Sequence, residues 1–429
     1  MDEMHKHGHE LRKDGNFEEA VNVFIEIWSE DNTDKWIGWE YAYCLAKMKN
    51  INAAIKICKH TYKIDDKFEM NNDLMAWCVY EKYFKNEKKK QHTQHELDKL
   101  DEIATVLTGI IKQKKGSAYE PIVFSIVEFY RKRNDSDSNK MILKWLACLD
   151  PELLSNEPAA YENDKAKGNV LELSSRKETY YSVKTKSLLA LDKYSECIEC
   201  CNVSKEQIQI YHYNNDIWIE SRRLISKGKL GHCKEAIEGL KELSLRVEHW
   251  SLLFEIAKLY KSGNMPKEAI LYSYKALLSK GKENMKVNVV LFVAERWDEL
   301  NNSYQANRHY AYYRKIREEN GWNTSHTIHQ RLEGMKLEKD IHYNVMQQEW
   351  VSWIKGKNQI LEGVVSKIMP NGKNGFIKSN GNSFFFKLDS VIGKKKVRKG
   401  SKVAYILEDS YDPSKKRYGK EARYIEIIL

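Results

Sequence analysis

Three short runs near the end of the chain, Gly363-Val364-Val365, Gly375-Phe376-Ile377 and Phe384-Phe385-Phe386-Lys387, set aromatic rings and lysines at alternating positions. In a strand, alternate side chains point to opposite faces. Asn374, Phe376 and Lys378 then share one face of their run, and Phe385 and Lys387 share one face of the next. Phe384, Phe386 and Ile377 turn towards a core. Rings on an open strand face stack on unpaired bases, and lysines beside them meet phosphates without reading sequence. Lys367 on the first run and Lys373, Arg398, Lys416 and Arg417 in turns and loops extend this set. The chemistry indicated is the binding of single-stranded RNA or DNA. The plainer alternative is a barrel whose phenylalanines serve its core or an interface and whose lysines are only solvated.

Other constellations carry less. Cys197, Cys200 and Cys201 lie in a helical pattern whose nearest partners are His232 and Cys233, one hairpin on, and a zinc site needs four converging ligands. They read as buried cysteines. His5, His7 and His9 read as a solvated terminus and the run from Lys85 to Lys90 as an exposed loop, while the basic loop from Gly393 to Lys399 reads either as phosphate-contact candidates or as a solvated loop. No phosphate-loop motif, zinc-protease motif or nucleophile elbow appears. The expectation is a protein that is not an enzyme and needs no cofactor or metal.

Charge singles out the same end of the chain. Residues 357–429 hold 16 Lys and Arg against 7 Asp and Glu, a net of +9, whereas the whole chain is +10. The preceding residues are therefore close to neutral. The turns Pro370-Asn371-Gly372 and Ser379-Asn380-Gly381-Asn382 provide the positive-φ positions of tight hairpins. Strand-like runs from Lys402 to Leu407 and from Glu421 to Ile428 complete five strands, which fits a small barrel of the OB type.

The rest of the 429 residues is too long for one core. Six Pro and 21 Gly leave few breakers, which suits long runs of helix. Gly15-Asn16-Phe17-Glu18-Glu19-Ala20 opens an amphipathic run, and Asn50-Ile51-Asn52-Ala53-Ala54 opens another 34 residues later. Ala236 and Ala269 stand in the same setting 33 residues apart, while Cys197 and Ala306 take the small-residue place elsewhere. Helical hairpins at this period resemble the tetratricopeptide repeat. Six to eight hairpins are expected over residues 1–320, with a long second helix within residues 68–149 and an inserted polar loop at 152–174. Residues 321–356 are a capping helix and linker, with Trp350, Trp353 and Ile354 on the apolar face of the last helix. Residues 357–429 are the barrel. Eight scattered cysteines, an N-terminus without an apolar leader core and no run of about 20 apolar residues point to a cytoplasmic protein with no membrane contact.

The barrel resembles the cold-shock domain. Gly363 onward to Gly375-Phe376-Ile377 is similar to its first strand and first ribonucleoprotein motif, Phe384-Phe385-Phe386-Lys387 to its second, and Gly400-Ser401-Lys402-Val403 to its later Gly-x-x-Val. The resemblance implies that Phe376 and Phe385 hold two base-stacking positions. The family's rings at Lys367 and Asn374 and its histidine at Lys387 are replaced, which implies binding that is more electrostatic and less selective. The tetratricopeptide resemblance implies an unidentified protein partner for the repeats. Their pairing with such a barrel is similar to bacterial proteins of conflict, defence or RNA regulation. The rival expectation is a scaffold that binds proteins only.

Overall fold

The computed structural model describes residues 3–85, 87, 90–133, 135–162, 170–323, 326–333, 338, 341–393 and 396–428. The chain folds into two compact units, Met1–Asn215 and Asp216–Leu429. Of the polar runs noted above, Asn86, Lys88, Lys89, Lys394 and Lys395 lie outside the described residues.

The first unit is a succession of helices: α1 (Glu3–Lys13), α2 (Phe17–Glu30), α3 (Lys35–Lys47), α4 (Ile51–Ile64), α5 (Glu69–Tyr83), α6 (Gln94–Ile110), α7 (Tyr119–Arg133), α8 (Ser136–Leu146), α9 (Arg176–Ala190) and α10 (Tyr194–Gln207). Helix α2 buries Ala20, Val21, Phe24 and Ile27, and α4 buries Ala54, Ile55, Cys58 and Thr61, the same one-sided stripe in each. Side-chain caps start several helices, such as Asp34 accepting from the backbone of Trp36 and Ile37, and a Thr93–Glu96 capping box at α6. The long second helix of residues 68–149 is α6, at 17 residues.

Two expectations change here. The segment expected to be an inserted loop carries an antiparallel pair of strands, β1 (Ala159–Glu162) and β2 (Val170–Leu173); Asn163, Asp164, Gly168 and Asn169 between them are outside the described residues. His5 and His9 are not part of a solvated tail, although His7 is exposed. They lie on α1, where His5 and His9 join Arg12 around the buried carboxylate of Glu40, at 3.0, 2.5 and 3.0 Å. A buried carboxylate needs such partners, and α1 provides them at helical spacing.

The second unit begins with α11 (Asn215–Lys229), α12 (Cys233–Arg246), α13 (Trp250–Ser262), α14 (Pro266–Leu278), α15 (Val287–Glu299), α16 (Ser303–Glu319), α17 (His326–Glu333) and α18 (Tyr343–Lys355). Helix α18 seats Trp350 and Ile354 in the core of α14–α16, beside Tyr274, Tyr310 and Tyr312. Trp353 packs edge-on to Trp297. At the centre, fully buried His309 donates from Nδ1 to the Gln305 carbonyl at 2.8 Å and accepts at Nε2 from the Trp350 indole at 3.0 Å. Both ring nitrogens are used by the neutral imidazole.

Five strands follow: β3 (Leu361–Ile368), β4 (Asn374–Ser379), β5 (Asn382–Lys387), β6 (Lys402–Asp412) and β7 (Arg417–Ile427). They close into a barrel in the order β3-β4-β5-β7-β6, antiparallel except for β5 with β7. Strands β6 and β7 run longer than the sequence pattern indicated, as one extended hairpin. Val365, Ile377, Phe386, Val403, Tyr405 and Ile425 fill the barrel. On β7 the register gains one residue near Tyr424, whose φ is +52°, a bulge that leaves Arg423 and Tyr424 both on the outer side between inward Ala422 and Ile425. Ile425 enters the barrel core. Tyr424, with Ile406 of β6, enters the helical core instead.

A methyl at Gly38 of α3 would meet Thr61 and the Trp28 ring, the latter at 2.7 Å. Gly38→Ala should lower stability by about 1–3 kcal/mol, because the clash outweighs a gain of about 1 kcal/mol in helix propensity; a calorimetric or denaturant series on the full chain measures this. Burial holds His309 down at about 4, against an ordinary 6.5. The unfolded chain therefore takes up a proton first as pH falls. The stability tied to neutral His309 is complete above pH 6.5 and is lost towards pH 4, about 3 kcal/mol in all. Melting temperatures read from pH 7.5 to 4.5 should show this fall, and His309→Gln should flatten it while starting from a lower value.

Candidate nucleic-acid interface

The β4–β5 register sets Phe376 opposite Phe385, Asn374 opposite Lys387 and Lys378 opposite Ser383. A bulge at Ser366 then brings Lys367 of β3 opposite Phe376. Gly375, Ile377 and Phe386 are buried on the other face. Lys367, Phe376 and Phe385 thus form one row across three strands on the outside of the barrel. Phe376 and Phe385 are partly exposed and meet edge to face, with centroids 5.8 Å apart and planes at 72°. Lys367 and Lys378 are exposed.

The remaining candidates do not join this row. Lys373 is exposed in the β3–β4 turn, Arg398 in the β5–β6 connection, and Lys416 and Arg417 at the β6–β7 turn. Lys416 itself has φ +48°. Among the described residues no carboxylate lies within ion-pair distance of Lys367, Lys373, Lys378, Arg398, Lys416 or Arg417, so their charges are open to solvent.

Lys387 is different. Its Nζ lies 2.8 Å from Glu248 Oε2, in the α12–α13 connection. The other oxygen, Oε1, is 2.7 Å from Arg423 Nη1 of β7. Burial alone would push the Glu248 carboxyl up, but the two cations outweigh it and hold the group at about 2. Arg423 also pairs with buried Glu421, the residue next to Phe385 across the parallel β5–β7 pair. Three further contacts tie the barrel to helices of the same unit: Lys275 with Glu408 at 2.6 Å, Lys355 with Glu426 at 2.9 Å, and Tyr418 donating to Glu242 at 2.7 Å. Glu248, Lys387, Arg423, Lys275, Glu408 and Tyr272 of α14 border a cleft of about 500 Å³.

The sequence reading missed Glu248, Arg423 and Glu242. A lone carboxylate 139 residues from Lys387 leaves no local signal. The excess of barrel lysines over acids was the only hint that some would seek acids on the helices. The cysteines are as expected from pattern: Cys197, Cys200 and Cys201 are buried, and burial pushes the Cys200 thiol up to about 11. Among the described residues, no group of His, Cys, Asp and Glu is placed to hold a metal ion, and no helix is long and apolar enough to cross a membrane.

The architecture is that of a helical-repeat protein with a closed five-stranded barrel at its C-terminal end. Residues 11–77, which span the end of α1 to α5, match the family model described as tetratricopeptide repeat. No curated protein matches the chain. Among solved structures it is similar to BtubC from P. vanneervenii, with 12% identity, 53% of this chain and 90% of that one covered, and a TM-score of 0.33. It is also similar to YrrB, described as a tetratricopeptide protein with an unusual peptide-binding site, with 10% identity, coverage of 60% and 92% and a TM-score of 0.21. A third is a thermophilic tetratricopeptide protein of Thermus thermophilus, with 13% identity, coverage of 68% and 95% and a TM-score of 0.21.

The two kinds of phenylalanine should separate on substitution. Phe386→Ala empties the barrel core and should cost about 3–5 kcal/mol. Phe376→Ala removes a partly exposed ring and one edge-to-face contact, about 1 kcal/mol. Denaturant midpoints of the two variants decide whether Phe376 is a surface ring or a core ring.

Proposed function

We propose that the protein is a non-enzymatic adaptor whose barrel binds single-stranded RNA or DNA with little sequence preference, while its helical repeats bind a protein partner. The functional division is repeats over 1–320, a capping segment over 321–356 and the barrel over 357–429. The observation that carries the nucleic-acid reading is the row Lys367–Phe376–Phe385, two rings and a cation on one outer strand face. Each ring stacks on a base for about 1–3 kcal/mol, and any base serves, since all have a π-face. The unpaired lysines add phosphate contacts and counterion release. Barrels of the OB type take oligonucleotides on the face of their second and third strands and at the loops joining strands one to two and four to five; by strand order the counterparts here are the β4–β5 face, the β3–β4 turn and the β6–β7 turn, which supports the reading. Lys373, Lys416 and Arg417 stand at those two turns. The near-neutral repeats and the exposed Trp36 and Trp77 support a protein partner over a nucleic-acid cradle for the helices. A cytoplasmic setting in bacterial conflict, defence or RNA regulation fits this pairing.

A second reading, a barrel that serves only protein contacts, is favoured by one observation: Lys387 and Arg423 already hold a carboxylate of the helical part. Fluorescence anisotropy of the full chain with labelled dT and rU oligonucleotides separates the two. The expected result is micromolar binding that weakens steeply between 50 and 300 mM salt, and weakens about 5- to 50-fold for Phe376→Ala with Phe385→Ala. Absence of binding to every strand at low salt would leave the protein-only scaffold.

A further inference from the structure

The aromatic row does not end in solvent. Beyond Phe385 on β5, two residues or about 7 Å along the strand, stands Lys387 on the same face. Beside Phe385 on β7 stands Glu421, held by Arg423. One carboxylate, Glu248, takes both cations, one on each oxygen, at 2.8 and 2.7 Å. A phosphodiester, like a carboxylate, spreads one negative charge over two oxygens, and lysine and arginine both bind it. The cleft beyond is lined by five basic side chains, among them Lys241, Lys275 and Lys280, and by five acidic ones. It is electrically balanced only while Glu248 is counted. Lys241 lies 5.4 Å from the ring centroids of Tyr260 and Tyr272, with no carboxylate in ion-pair distance among the described residues. A strand leaving Phe385 towards the helices therefore meets a two-cation seat that is already occupied.

We propose that Glu248 is an internal stand-in for a strand phosphate: a single strand bound on the ring row displaces it from Lys387 and Arg423 and continues into the cleft between the barrel and α12–α14. This rests on the reading of the ring row as a single-strand site. The exchange trades one anion for another, so it leaves the balance of the cleft unchanged and weakens binding rather than forbidding it. Glu248 thereby sets the affinity of the barrel, and movement of the α12–α13 connection reports occupancy to the helices that carry it.

The test uses the full chain with labelled dT and rU decamers. Glu248→Gln should tighten binding about 10-fold at low salt. It should also steepen the dependence of log K on log salt by about 0.7, the value of one further single-strand phosphate. Glu248→Asp keeps the charge but draws it back by one methylene, and should fall between the two. Hydrogen exchange in residues 244–250 of the unsubstituted protein should quicken when the decamer saturates it. If Glu248→Gln and Glu248→Asp bind as the unsubstituted protein does, with equal salt slopes and unchanged exchange, the displacement is wrong while the single-strand reading stands. If no form binds either decamer at low salt, both fall. Binding by Glu248→Gln alone would support both and show that the carboxylate closes the site.

Discussion

Ile406 and Tyr424 leave the barrel on its outer side and enter the core built by α14–α16 and α18. This continuity governs what the barrel can do. Two buried side chains of this size are worth several kcal/mol of apolar burial, enough to fix the barrel on its helices despite a connection of a few residues. Ile406 reaches the helices by ordinary alternation on β6, between inward Tyr405 and Leu407, and Tyr424 reaches them because β7 carries a bulge there, in a left-handed conformation that a tyrosine adopts only under constraint from its surroundings. The extra residue keeps Arg423 and Tyr424 both on the outer side between inward Ala422 and Ile425, so that Tyr424 serves the helical core and Ile425 the barrel core. The outer side of β6 and β7 around Ile406 and Tyr424 is thereby committed to the helices, while the β6–β7 turn and the row Lys367–Phe376–Phe385 on β3, β4 and β5 stay outside that core.

Electrostatics sharpens that division. The barrel sequence is strongly basic, but its charge is not spread evenly once folded. Lys387 and Arg423 are answered by Glu248. Lys367, Lys373, Lys378, Lys416 and Arg417 carry no such partner among the described residues. Ion pairs that are partly buried cost desolvation and add little net stability, but they are sensitive to geometry. Apolar packing supplies the holding force here, and the ion pairs set the angle at which the ring row meets the cleft.

Much of this was legible from residue types and spacing. The period of 33–34 residues, with a small residue opposite large apolar ones, marked the hairpins, and Ala20, Ala54, Ala236 and Ala269 are all fully buried. Alternation along residues 374–378 and 384–387 correctly assigned outward and inward rings, because a period of two has no other outcome in a half-buried strand. Three features were not legible, for one shared reason. Glu40 with His5 and His9, Glu248 with Lys387 and Arg423, and Tyr424 in the helical core all depend on partners far away in sequence. Their pairing is decided by which helix faces meet, and local pattern does not carry that information. The β1–β2 pair escaped for another reason: its flanks are rich in Asn, Asp and Gly, and the strand residues are too few to show a period.

The replacements at Lys367, Asn374 and Lys387 gain a meaning from the folded arrangement. A third ring at position 387 would lie against the Glu248 carboxylate and leave Arg423 as its main counter-charge. A lysine there completes the pair that neutralises it. The same lysine is the nearest cation to Phe385 along the strand. One side chain therefore belongs both to the contact that orients the barrel and to the face open to a ligand, and it cannot serve fully in both at once. Under the proposed single-strand reading, a lysine in place of a stacking ring here exchanges base affinity for a link between the ring row and the α12–α13 connection. A barrel built only to bind strands tightly would gain from the ring; one that must respond to the helices gains from the lysine.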